Sequence, residues 1–130
     1  MPSIFTRIIQ GEIPCHKILE NDSFLAFLDI RPIRSGHTLV IPKKEVDYFF
    51  ALEDKSLGEM MVFAKKVAGA IKKAVECKRV GLMVAGLEVP HAHIHLVPIV
   101  EVLDLNFAKA KPASADELSQ MAERIRAHFK

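Results

Sequence analysis

The feature that most constrains this chain's fold is His91-Ala92-His93-Ile94-His95, where three of the six histidines recur at every second position. In an extended strand successive side chains point to opposite faces. The spacing therefore predicts a strand with His91, His93 and His95 on one face and Ala92, Ile94 and Leu96 on the other. The apolar face needs a core to cover it, so the strand belongs to a sheet with something packed on one side. The other face carries three imidazoles. Imidazole exchanges protons near neutral pH and is also a nucleophile and a metal ligand.

The surrounding sequence supplies that core. Apolar residues at 57, 60, 61, 64, 67, 68, 71, 74 and 75 mark one long amphipathic helix, with Ser56 and Glu59 as a capping box at its start. Leu118, Met121, Ala122, Ile125 and Phe129 mark a C-terminal helix, opened by Ser114 and Glu117. Ile4 to Ile9 reads as one or two helical turns, closed by Gly11 and Pro14. Lys17–Glu20, Ser23–Leu28, His37–Ile41 and Val80–Val84 read as strands, and the histidine strand ends at Pro98. Strands, a long helix, two strands and a helix make an α+β pattern with a mainly antiparallel sheet.

The bulk properties exclude several classes. A chain of 130 residues, 50% of them apolar, is read as one domain spanning 1–130. The net charge of +2 and the scattered Lys/Arg pairs give no nucleic-acid track. No apolar run approaches the ~18 residues of a membrane span, and residues 1–7 lack a secretory core, so the expected location is cytoplasmic with no membrane partner. Cys15 and Cys77 form neither a CxxC pair nor a disulfide framework and are read as free thiols.

Three readings of the histidines follow. The first is a metal site, which would need further ligands from His16, His37, Glu45 or Glu88. The second is nucleophilic attack by a neutral imidazole on phosphorus, with its neighbours orienting it and serving the leaving group. The third is structural: satisfied histidines at a sheet edge or interface. Phe27 and Ile30 bracket Asp29, a combination suited to a nucleoside, with the base in an apolar slot and the carboxylate on ribose hydroxyls. Core packing and a turn explain the same residues singly. Gly86, just before the motif, can let backbone approach an anion.

His91-Ala92-His93-Ile94-His95-Leu96-Val97 resembles the pattern of the histidine-triad (HIT) family, three histidines alternating with apolar residues. The blocks Ile4–Pro14, Phe24–Ile30 and Gly36–Lys43 are similar to that family's opening and central strands, in the same order, so the resemblance spans nearly the whole chain. It implies a HIT-like fold: a five-stranded mainly antiparallel sheet, one long central helix and a C-terminal helix. It also implies a homodimer whose two sheets join into ten strands. By the Hint-like branch, the implied activity is hydrolysis or transfer at the α-phosphate of nucleoside phosphoramidates, adenylylated amines or dinucleoside polyphosphates, through a nucleotidyl-histidine. His93 is the implied nucleophile. His95 would contact the phosphate and leaving group, and His91 and His37 would orient the catalytic imidazole. Phe5, Ile8, Phe27, Ile30 and Leu39 would line the base and sugar slot and Asp29 would hold the ribose, with Gly86, Glu88 and Val89 beside the nucleotide. The implied partner is a purine nucleotide or nucleotide conjugate.

The chain departs from the pattern in two places. Many bacterial members carry a zinc motif beginning Cys-x-x-Cys; Ser3 and Thr6 stand there, and Glu45 stands at the usual His. No structural zinc and no cofactor are therefore expected. On the phosphate side the usual Asn is missing, Leu87 replaces Gln, and Glu88 falls at a phosphate-contacting Ser. A carboxylate 4 Å from a phosphate charge is repelled by about 4 kcal/mol at an effective dielectric of 20. A nucleotide-binding protein with weak or no turnover is therefore the alternative reading, and a metal-dependent use of the triad a further one.

Overall fold

The computed structural model of the chain describes residues 2–129. In order, the chain forms α1 (Ile4–Ile9), β1 (Lys17–Glu20), β2 (Phe24–Leu28), β3 (Thr38–Pro42), α2 (Asp54–Ala74), β4 (Arg79–Met83), β5 (Ile94–Ile99) and α3 (Ala115–Arg126), with short 3-10 turns between. The five strands make one sheet in the order β1-β2-β3-β5-β4, antiparallel at every pairing. Among the described residues no helix is long and apolar enough to cross a membrane.

Strands β2 and β3 are buried along their whole length because both faces of the sheet are covered. Phe24, Ala26, Leu28 and Val40 pack with Met60, Phe63, Val67 and Ile71 of α2 and with Leu118, Met121 and Ile125 of α3. The alternate residues Leu25, Phe27, Leu39 and Ile41 pack with Phe5 of α1 on the opposite face. The period-3.6 stripe of α2 thus faces the sheet, as its spacing predicts.

Strands β2, β3 and β4 are each shifted by one residue at one or both ends from the sequence reading, and three further boundaries differ for a physical reason. Helix α2 opens at Asp54, with the Leu57 N–H bonded to the Glu53 carbonyl, so Ser56 lies inside the first turn and caps nothing. Asp54 sits where the positive end of the helix dipole favours an acid. Strand β5 starts at Ile94, so His91 and His93 precede the ladder rather than belonging to it. Their backbone is committed elsewhere: the Ala92 N–H bonds the Val46 carbonyl, and the His91 carbonyl takes a side-chain bond. The alternation persists all the same, because Ala92, Ile94 and Leu96 all enter the α2 core. Finally, β5 runs through Pro98 to Ile99. Its pairing with β3 ends at Leu96, so Pro98 sits where β5 has a single neighbouring strand and its missing N–H is tolerated.

Two connections place the site. Gly36 adopts φ +101 just before β3, and a Cβ there would lie 3.0 Å from the Val75 side chain; the turn that delivers His37 therefore requires glycine. After β5, Asp104 accepts the Val100 and Glu101 N–H groups and pairs with Lys109 and Arg34. These bonds hold the Asp104 carboxyl down to about 2 and fix a loop whose Phe107 packs edge-on to His95, centroids 4.9 Å apart.

Candidate functional site

His37 and His95 form one relay. The Ile33 N–H donates to His37 Nδ1 at 3.0 Å, so the neutral ring carries its proton on Nε2. That proton is donated to His95 Nδ1 at 2.9 Å, which places the His95 proton on Nε2. Both rings are buried, and burial pushes them down from 6.5, His37 to about 4 and His95 to about 3, with the charge of His93 acting in the same direction. The Asp29 carboxylate lies 3.6 Å from His37 Nε2. Asp29 itself is raised by burial, partly offset by the Arg31 N–H bonded to its Oδ1.

His91 and His93 form a second relay of opposite outcome. His91 Nε2 faces the Pro42 carbonyl at 2.8 Å; a carbonyl only accepts, so Nε2 carries the proton. His91 Nδ1 then accepts from the Ser3 hydroxyl at 2.7 Å. His93 Nδ1 faces the His91 carbonyl at 2.8 Å and must donate to it. The lone pair of His93 is therefore left on Nε2. Neither His93 Nε2 nor His95 Nε2 has a protein partner among the described residues, and neither is sealed from solvent. The rings stand 4.8 Å apart, centroid to centroid. One presents a lone pair, the other a proton.

Both open on a hollow of about 220 Å³. Phe5, Ile8, Phe27, Ile30, Leu39, Glu88 and Val89 line it, together with Asp29. The Phe5 ring stands edge-on to Phe27 and to His93, so the short helix α1 reaches the reacting histidine directly. Of the residues named from the sequence, His93 and His95 line the hollow, while His37 and His91 lie behind them and act through hydrogen bonds. Gly86 is not brought in. It lines a separate hollow with Tyr48, Phe50, Leu82 and Leu87, and its φ of +76 serves the turn after β4. Glu88 is exposed at the rim.

The sequence reading assigned no place here to Ile4, Ile13, Pro14 or Cys15, which also line the hollow. Burial raises the Cys15 thiol, and the opposing charge of Lys17 is the smaller effect. The reading also missed the Ile33 N–H, Ser3, Thr6 and Glu45 as members of the two relays. A local pattern carries no signal for the contacts of Ser3, Thr6 and Glu45, which are made across 39 to 88 residues of chain.

Two metal positions can be tested against the chemistry of their donors. Where the resemblance puts zinc stand Ser3, Thr6 and Glu45, with His91 in contact with Ser3. Glu45 Oε1 is occupied by the Ser3 N–H and the Thr6 hydroxyl, and His91 Nδ1 by the Ser3 hydroxyl. Two protonated hydroxyls and a saturated carboxylate oxygen do not fit a zinc shell of thiolates, imidazoles and carboxylates. The second position is Asp29, His37 and His95, whose ligand atoms lie within 4.8 Å of one another. A cation on His37 Nε2 would move that ring's proton to Nδ1, against the Ile33 N–H. Leaving such a buried donor unpaired costs about 1–3 kcal/mol.

With this geometry in view, the comparisons with known proteins are specific. The sequence pattern of the HIT domain family matches residues 10–102. The Schizosaccharomyces pombe protein named adenosine 5'-monophosphoramidase hnt1 is 35% identical over 133 aligned residues, covering 100% of both chains. A Hit-like protein of Bartonella henselae superposes with a TM-score of 0.85 at 32% identity, over 96% of this chain and 94% of that one. A zinc-bound histidine triad family protein of Mycobacterium smegmatis superposes at 0.81 with 27% identity, over 95% and 90%.

Proposed function

This chain belongs to the HIT domain family, and on that footing we propose that it is a nucleotide hydrolase or transferase acting at an α-phosphate through covalent catalysis by His93. One observation carries the reading: His93 Nε2 offers a lone pair and His95 Nε2 a proton into the same hollow, whose apolar walls end at Asp29. A purine base fits against Phe5, Ile8, Phe27 and Ile30, and its ribose hydroxyls reach Asp29. His93 Nε2 attacks phosphorus, the bond to the leaving nitrogen or oxygen breaks, and the nucleotidyl group stays on the ring. The positive charge that forms on His93 is stabilised by the Nδ1–H bond to the His91 carbonyl. His95, held neutral at pH 7, hydrogen-bonds the departing atom, and a water molecule gives that atom its proton. The hydroxide left behind attacks the phosphorus of the adduct, the bond to His93 Nε2 breaks, and the nucleoside monophosphate and neutral His93 are released. The reading needs no metal, in keeping with the donor sets at both candidate positions.

A panel of adenosine phosphoramidates, aminoacyl-adenylates and dinucleoside polyphosphates, tested on wild type and His93→Ala, decides the matter. Turnover with a trappable nucleotidyl adduct supports the reading; equal activity in His93→Ala rejects it. The exposed Glu88 at the rim motivates a second reading, a nucleotide-binding protein without fast chemistry. Calorimetric binding of AMP with negligible turnover across the panel would favour it.

The assembly we propose is a homodimer. β4 is an edge strand, and Tyr48, Phe50, Met61, Leu82 and the 92%-exposed Leu87 leave an apolar surface beside it. A second copy paired on β4 would continue the sheet and cover that surface. Sedimentation of wild type and Leu82→Lys tests it; a monomeric wild type rejects it.

A further inference from the structure

We propose that Glu45, acting through Ser3 and Thr6, is a positioning residue that holds His91, and through it His93, from outside the hollow. The inference rests on the covalent reading of His93. Glu45 Oε1 accepts the Ser3 N–H at 2.8 Å and the Thr6 hydroxyl. A threonine hydroxyl has one proton. With that proton committed to Glu45, Thr6 cannot donate to His91 Nδ1, which lies 3.5 Å from its oxygen. The Ser3 oxygen accepts the Thr6 N–H at 3.0 Å; its own proton can reach the Thr6 oxygen at 3.3 Å or His91 Nδ1 at 2.7 Å, and the shorter contact takes it. The Pro42 carbonyl fixes the His91 proton on Nε2, and the Ser3 hydroxyl meets the lone pair left on Nδ1. Pinned at both ring nitrogens, His91 holds its carbonyl against His93 Nδ1. That bond keeps the reactive lone pair on Nε2. The series runs from an exposed carboxylate to a buried nucleophile.

The same bonds tie down α1. Ser3 caps the helix, Glu45 grips the Ser3 N–H, and Phe5 of α1 stands edge-on to both His91 and His93. The network thus occupies, with protons and oxygens, the place where the family resemblance would put a metal.

Glu45→Ala and Glu45→Gln separate this role from bulk packing. Glutamine keeps an oxygen at the accepting position; alanine does not. Glu45→Ala is expected to lower kcat roughly tenfold to a hundredfold, since a misplaced catalytic group costs up to about that much. Glu45→Gln should restore most of it, with a smaller change in AMP affinity than in kcat for both. The ring ¹⁵N shifts of His91 give the second readout: Nδ1 unprotonated and hydrogen-bonded in wild type and Glu45→Gln, and shifted toward an unbonded nitrogen in Glu45→Ala, with Nε2 protonated in all three. Metal analysis of wild type purified without chelator should find no stoichiometric zinc. Wild-type kcat and an unaltered His91 spectrum in Glu45→Ala would overturn the proposal, as would stoichiometric zinc in wild type. If wild type shows neither turnover nor AMP binding, the functional reading fails, while the ¹⁵N spectra still report on the network.

Discussion

On strand β2, Phe24, Ala26 and Leu28 face α2 and α3, while Leu25 and Phe27 face α1. The first face is filled by apolar side chains, with one buried hydroxyl, Thr38, bonded to the Gly36 carbonyl at its end. The second has a small apolar floor of five buried residues, and above it lie four buried histidines and a buried serine. A buried polar group is tolerated only when hydrogen-bonded. Here the protein supplies those partners with defined donors: the Ile33 N–H donates to His37 and His37 to His95, while Ser3 donates its N–H to Glu45 and its hydroxyl to His91, and His93 donates to the His91 carbonyl. The α2 face is built by shape and could be repacked with other apolar residues. The α1 face is built by donor and acceptor direction, and there a change of one proton alters what the surface can do.

Adjacent residues give the sharpest way to break that contrast. His93 faces the hollow and Ile94 the α2 core, where it is fully buried. His93→Ala is expected to reduce phosphoramidate turnover at least about 10³-fold, the scale of losing a covalent nucleophile, with thermal unfolding shifted by only a few degrees. Ile94→Ala should do the reverse. It should cost about 2–5 kcal/mol in urea unfolding and leave kcat near wild type below the transition. If Ile94→Ala removes activity while the protein stays folded, or if His93→Ala unfolds it, the two faces are not separable.

The two faces also differed in how far the sequence could be read. The α2 face was legible because its signal is periodic: the stripe from Leu57 to Val75 and the alternation in Phe24–Leu28 follow from local geometry. The five-stranded antiparallel sheet and the side on which the histidines lie were legible on the same grounds, joined to the family resemblance. Strand β5 was read three residues too long on its histidine side because hydrogen bonding to Val46, not side-chain pattern, ends the ladder there. The relays were illegible. Ser3, Thr6 and Glu45 stood out in the sequence only as departures from a zinc motif, and their direction depends on atoms that meet only after folding. Gly86 was assigned by proximity along the chain, and the turn after β4 carries it to another surface.

A smaller effect distinguishes the faces by pH. Folding makes His37 and His95 harder to protonate, from 6.5 to about 4 and about 3. Between those values and pH 6.5 the unfolded chain binds more protons than the folded one. Stability is therefore fully present above pH 6.5 and is lost as the pH falls, with most of the His37 share gone by pH 4. That share is roughly 3 kcal/mol. Urea unfolding from pH 7 to pH 4.5 should show the decline, and His37→Asn should flatten it. A wild-type curve that is level across this range would mean that the α1 face already tolerates charged histidines.

The smallest effect compares two helix caps. Ser3 accepts the Thr6 N–H at the start of α1, and Ser114 accepts the Glu117 N–H at the start of α3. Either serine changed to alanine loses one capping bond, a cost of about 1 kcal/mol in protein stability. The exposed Ser114 does nothing else in the site, so Ser114→Ala should lower Tm by a few degrees and leave kcat unchanged. Ser3 spends its proton on His91 Nδ1, so Ser3→Ala should match that Tm loss and add a fall in kcat. Ser3→Asp refines the test. It keeps a side chain able to cap the helix but offers no proton, so His91 must gain one at Nδ1 to remain bonded. A Tm near wild type with a reduced kcat and a protonated His91 Nδ1 would show that proton direction, not helix anchoring, distinguishes the two caps. Equal kcat in all three variants would reduce Ser3 to a cap like Ser114.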